Sequence, residues 1–142
     1  PYTTLCRSVP DAGTTKDIVE GIEVACTGHD LGQASEFQDI VRKHLTTHKG
    51  IISCGKASGT LEAPFLDQFQ LDVFINHGAS GAPVYRTSDG VVLGMIQGNE
   101  ARIVAGEKLN LGIANCQPMW PILKLFEKVF GREAVTKGIK LL

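Results

Sequence analysis

Neither charge dominates this 142-residue chain: 14 Lys and Arg stand against 15 Asp and Glu, a net −1. No basic footprint for nucleic acid or an anionic membrane surface is therefore present. No apolar run approaches the roughly 20 residues that span a bilayer, and the first residues lack the charged-then-apolar layout of a secretory leader. Beginning on Pro1, the chain reads as a processed or excised piece, so the lack of a leader carries no weight. Cysteines are few, and Cys6, Cys26, Cys54 and Cys116 include no CxxC pair, which removes the zinc and thioredoxin signatures. Cys26 and Cys54 sit in apolar strand patterns, the setting of reduced, buried thiols, so no disulfide is expected. Internal repeats, low-complexity tracts and linkers are also missing. The length suits one domain, 1–142, able to bury about two-thirds of its unfolded surface.

Glycine, by contrast, is abundant at 16 residues and recurs between short apolar runs. That pattern predicts strands over 20–27, 45–54, 70–75, 82–86, 91–98 and 110–115, with turns at 28–32, 55–59, 88–90 and 98–106. Six short strands suggest a sandwich or small barrel. Two stretches break the β pattern. Ser35-Glu36-Phe37-Gln38 has the form of a capping box, and Phe37, Ile40, Val41, His44 and Leu45 follow helical spacing, which predicts a short inserted helix. Toward the end, Pro121 suits a first helical turn, and Ile122, Leu125, Phe126, Val129 and Phe130 make one apolar face. Gly131 is placed to end that helix, predicted over 118–130.

The run Asn76-His77-Gly78-Ala79-Ser80-Gly81-Ala82-Pro83 carries the chemistry. Ser80 has little steric cover between two glycines, which can aim neighbouring N–H groups at one point, the way an oxyanion hole is made. The following 84–96 segment reads as a hairpin that would hold this loop rigidly. Other glycine-bound serines compete with this reading. An α/β-hydrolase elbow needs Gly-x-Ser-x-Gly, and Ala82 stands at its second glycine; the helical crossovers of a parallel sheet are missing too.

With its Ile75 included, the run resembles the serine loop of trypsin-like serine peptidases of the HtrA type, Ile-Asn-x-Gly-x-Ser-Gly-x-Pro, at every fixed position. Four further stretches resemble that family in the same order: Gly28-His29-Asp30-Leu31-Gly32, Gly50-Ile51-Ile52-Ser53, Gly90-Val91-Val92-Leu93-Gly94-Met95 and Leu111-Gly112-Ile113-Ala114. The resemblance spans about 21–130 and covers the second, serine-bearing half of the family's two-barrel domain. It implies an all-β fold, a six-stranded antiparallel barrel over about 18–116 with a C-terminal α-helix. A first barrel bearing the catalytic His and Asp is absent from this sequence.

The resemblance further implies Ser80 as nucleophile and the N–H groups of Gly78 and Ser80 as oxyanion donors in a serine endopeptidase. The primary specificity pocket would be walled by Phe74, Ile75, Asn76 and His77, by Met95, Ile96 and Gln97, and by Ile113, Ala114 and Asn115. Phe74 and the lack of a carboxylate among these residues favour a small or medium apolar substrate side chain. The implied partners are a polypeptide substrate and a first barrel supplying His and Asp; the uncovered barrel face invites a protein partner or self-association. No cofactor or metal is expected. None of the four histidines is placed to serve as the base: His77 is too close to Ser80 along an extended loop, His29 and Asp30 are adjacent and point apart, and His44 and His48 have no third ligand nearby. Two alternatives keep the same barrel, a catalytically silent binding or regulatory module and a chymotrypsin-like viral peptidase.

Overall fold

Strand alternation decides how this chain closes. In the computed structural model, which describes residues 13, 15–29, 45–59, 64–75 and 78–133, six antiparallel strands form a closed barrel in the order β1-β2-β3-β6-β5-β4. They are β1 (Glu23–His29), β2 (Leu45–Gly59), β3 (Pro64–Asp72), β4 (Pro83–Arg86), β5 (Val92–Val104) and β6 (Glu107–Pro118). Every second residue points inward. Val24 and Cys26, Phe69 and Leu71, and Ala114 and Cys116 are all buried, and Ile52, Val84, Leu93 and Ile96 complete the filling. The β1–β4 pairing, with Cys26 opposite Val84, closes the ring. Register shifts at Ile52/Cys54, Lys56/Ala57, Ile96/Gly98 and Asn99/Ala101 mark bulges, the irregularities that bend strands enough to close a small barrel. Gly94 sits where its neighbours allow nothing larger: a Cβ there would strike the Gln117 carbonyl and lie 2.8 Å from the Phe69 ring.

The expected all-β barrel with a C-terminal helix is the fold observed, with its strands differently bounded. The strand expected at 70–75 is β3, which begins six residues earlier and ends three earlier, Val73 and Ile75 being buried beyond its end. The turn expected at 55–59 is part of β2. The turn expected over 98–106 shrinks to Ala105 and Gly106, both at positive φ, +52° and +86°. Two such residues make the tight connection whose twist suits a hairpin, so β5 and β6 run on as a two-stranded arm. The helix expected near 35–44 lies outside the described residues, and Leu45 opens β2 instead.

The end of the barrel away from the serine loop is covered by the amino-terminal segment. The Gly13 N–H donates to the Val92 carbonyl at 2.7 Å and the Gly21 N–H to Ile52 at 2.8 Å, while Ile18 and Ile22 pack on the core. A short 3₁₀ turn, Thr15–Asp17, brings Asp17 within 3.3 Å of Arg86, whose guanidinium also grips Asp89 at 2.6 Å. That guanidinium holds the Asp89 carboxyl below the usual carboxylate range, and the carboxylates hold Arg86 protonated.

Helix α1 (Met119–Phe130) follows directly, with Pro118 at its N-cap and Pro121 in the first turn, where a missing N–H is tolerated. Gly131, at φ +84°, ends it by donating its N–H to the Glu127 carbonyl at 2.9 Å. Trp120 anchors the helix, its Nε1 donating to the Leu66 carbonyl at 3.0 Å. The first turns of α1 are half-buried against the barrel, whereas Leu125, Phe126, Val129 and Phe130 on its later turns are exposed among the described residues, and no residue of α1 is buried. Phe126 and Phe130 stack on each other, centroids 5.6 Å apart. Among the described residues no helix is long and apolar enough to cross a membrane.

Candidate active site

The chain leaves β3 at Asp72 and enters β4 at Pro83, so residues 73–82 cross one open end of the barrel. Their course is fixed by alternation and glycine. Ala79 is buried, and Ser80 beside it is exposed. Gly78 and Gly81 take φ of +98° and +86°, a conformation that opposes any Cβ. The loop is then pinned to β5 by three main-chain hydrogen bonds: Gly81 N–H to Ile96 at 2.8 Å, Ala82 N–H to Ala79 at 2.9 Å, and Ile96 N–H to Ala82 at 2.9 Å. β1 abuts it from the other side. A Cβ on Gly28 would lie 2.8 Å from the Ala82 Cβ and 3.8 Å from the Ala79 Cα, so only glycine lets the strand come this close.

Ser80 donates its hydroxyl to the main-chain carbonyl of Gln97 at 3.3 Å. Among the described residues, no histidine bonds this hydroxyl and the N–H groups of Gly78 and Ser80 have no acceptor. Two free donors next to an exposed hydroxyl are what an oxyanion site requires. No group of three His, Cys, Asp or Glu able to hold a metal occurs among the described residues.

The remaining residues expected at the site are sorted by the pleat. Ile75, Ile96 and Ala114 turn their side chains into the core, and only their backbones face outward. Phe74 is 61% exposed, its ring 3.2 Å from where a Gly112 Cβ would stand. Met95 and Ile113 are half-buried, Gln97 is exposed, and Asn115 turns its amide toward β3 and β5. Asn76 and His77 lie outside the described residues, as do Asp30 and His44.

Sequence reasoning missed Asn110. Its Nδ2 donates to the Ile75 carbonyl at 2.8 Å, and its Oδ1 accepts the Gly112 N–H at 2.9 Å, tying the start of the 73–82 segment to β6. The signal was available: Asn followed two residues later by glycine is an Asx-turn pattern, and Gly112 has φ +73°. Also missed was a row of amides on the outer face, where Gln68 bonds Gln97 at 2.9 Å and Gln70 bonds Asn115 at 2.8 Å. Cys54, expected buried, is half-buried and donates its thiol to Gln70 Oε1 at 3.1 Å. Cys26 and Cys116 are buried thiols, and burial pushes the Cys116 thiol far above its usual range.

The closed six-stranded barrel with its trailing helix resembles part of the trypsin-like protease fold. Among solved structures, the HtrA-type protease AlgW with a decapeptide superposes with a TM-score of 0.63 at 19% identity, covering 87% of this chain and 34% of that one. AlgW with a tripeptide gives 0.56 at 21% identity, over 87% and 36%. This chain therefore spans about a third of the length of the solved structures it matches. No protein-family model and no curated protein matches the sequence.

Proposed function

We propose that this chain is the second, serine-bearing barrel of a serine endopeptidase. Ser80 attacks a peptide carbonyl, Gly78 and Ser80 N–H groups bind the oxyanion that develops, and an acyl-enzyme forms on the Ser80 oxygen. The His and Asp that draw off the hydroxyl proton come from a first barrel, in the same parent protein or a second chain. The observation that carries this reading is the exposed Ser80, its hydroxyl bonded to the Gln97 carbonyl, on a glycine-flanked loop clamped to β5 in which the Gly78 and Ser80 N–H groups have no acceptor among the described residues.

The barrel also offers a track for the substrate. β4 pairs with β5 only as far as Met95, and the serine loop takes up Ile96. From Gln97 to Val104 that edge of β5 is open among the described residues. An extended polypeptide adding to it as a strand reaches Ser80 at the Gln97 end, the mode in which main-chain bonds give affinity and side-chain pockets give choice. Phe74, Met95 and Ile113 are the side chains that face the first pocket, which suits a small or medium apolar residue. The bare face of α1 supports a protein partner at the opposite end.

Because the base lies outside this sequence, the chain alone is nearly inactive; loss of triad function costs about 10⁶ in turnover. The test is labelling by a fluorophosphonate. The full-length protein is expected to label at Ser80 and to lose the label in Ser80→Ala. Absence of labelling in the full-length protein would favour a silent barrel that only binds.

A further inference from the structure

Glu100 has no part in the chemistry above, yet its part-exposed carboxylate is held by two side-chain amides from neighbouring strands. It stands on β5 at the Asn99/Ala101 bulge, three residues beyond the Gln97 carbonyl that accepts the Ser80 hydroxyl. At about 3.3 Å per residue, that is roughly 10 Å along the strand. Its Oε1 accepts from Asn115 Nδ2 at 2.9 Å and Gln70 Nε2 at 3.4 Å. Those amides are fixed in turn, Gln70 Nε2 to Asn115 Oδ1 at 2.8 Å and the Cys54 thiol to Gln70 Oε1 at 3.1 Å. Three strands thus orient one carboxylate.

Its second oxygen, Oε2, has no partner among the described residues. Among the described residues the cation paired with it is Lys56, with Nζ 3.9 Å from Oε1 and both side chains well exposed, 48% and 39%. At that distance and exposure the pair is a weak one. A carboxylate with one oxygen fixed by neutral donors and the other turned to solvent is a preformed acceptor for a guanidinium or ammonium.

We propose that Glu100 anchors a second subsite that takes a lysine or arginine side chain of the polypeptide lying along β5. The inference rests on the peptide-binding reading of that edge. It adds a charge requirement a few residues from the scissile bond, separate from the apolar pocket beside Ser80. Gln70 and Asn115 act as positioning residues, and Lys56 competes with the substrate cation.

The experiment uses ¹⁵N-labelled chain carrying Ser80→Ala and two eight-residue Ala/Ser peptides, one with a central arginine and one with citrulline, its uncharged counterpart. The arginine peptide is expected to shift the Gln70 and Asn115 side-chain amide signals and to bind about tenfold more tightly than the citrulline peptide. Glu100→Gln removes that tenfold preference, and Lys56→Met raises affinity for the arginine peptide about threefold. Equal affinity for the two peptides, an arginine preference that survives Glu100→Gln, or no movement of the two amide signals at millimolar peptide overturns the proposal. Because Ser80 is already alanine here, the outcome is independent of whether Ser80 labels with fluorophosphonate.

Discussion

Gly28 on β1 and Ala82 at the end of the serine loop are in a contact that leaves no room for a side chain: a Cβ on Gly28 would stand 2.8 Å from the Ala82 Cβ. The strand therefore acts as a backstop for the loop that carries Ser80. This small steric fact links the barrel's packing to the geometry of its candidate active site.

Gly28→Ala is expected to push the serine loop outward, because the obstructing Ala82 has no rotamer to escape into. The cost should be about 1–3 kcal/mol, the usual range for overpacking, measured by urea denaturation. Gly98→Ala is the contrast, since nothing lies within 4 Å of its added Cβ, and it should change stability by less than about 0.5 kcal/mol. In the full-length protein, Gly28→Ala should also slow labelling of Ser80 while Gly98→Ala remains folded.

Cys116 makes an alkaline prediction. Its thiol is held protonated by burial, with a smaller contribution from Cys26, whereas in the unfolded chain a cysteine ionises near about pH 8.5. Above that pH the unfolded state has lost a proton that the folded state keeps, so stability falls as pH rises, by about 1.4 kcal/mol per pH unit. Denaturation between pH 8.5 and 10.5 should show this slope reduced by that amount in Cys116→Ala relative to the unmodified chain. Parallel slopes would mean the thiol ionises in place.

The acid limb has the opposite sign. Arg86 keeps the Asp89 carboxyl below its ordinary range through their side-chain hydrogen bonds, so its stabilisation is complete above about pH 4 and is lost as pH falls through the lowered value. The melting temperature of Asp89→Asn should lie slightly below that of the unmodified chain at pH 6, and the gap should close as pH falls through the lowered Asp89 value. High salt should narrow the gap at pH 6, since the pair is solvent-exposed.

Much of this was legible in the order of the residues. The serine loop, the six strands and the last helix each carry local signals: Gly78 and Gly81 about Ser80, alternation at Val24 and Cys26, Pro121 and Gly131 at the ends of the helix. What escaped is what depends on partners distant in sequence. The β5–β6 arm turns on Ala105 and Gly106, and alanine at positive φ gives no turn signal. Beyond Asp72 the chain keeps one bond to its neighbour β6, the Val73 N–H to the Gly112 carbonyl at 2.9 Å, and a strand end set by a neighbour some forty residues away has no local signal. The apolar face of α1 was readable, but its exposure was not, since periodicity reports which side is apolar and never what covers it. Glu100 lay outside every motif, and only the bulge beside it brings its carboxylate back over Asn115.

The central claim is that Ser80 is a nucleophile whose base is supplied from outside this sequence. It is tested most directly by peptide hydrolysis in the full-length protein, comparing Ser80 with Ser80→Ala, alongside the isolated chain. The account predicts a fall of about 10⁶ in turnover on removing the hydroxyl, and a comparably low rate for the isolated chain with Ser80 intact. Undiminished hydrolysis by Ser80→Ala would contradict it.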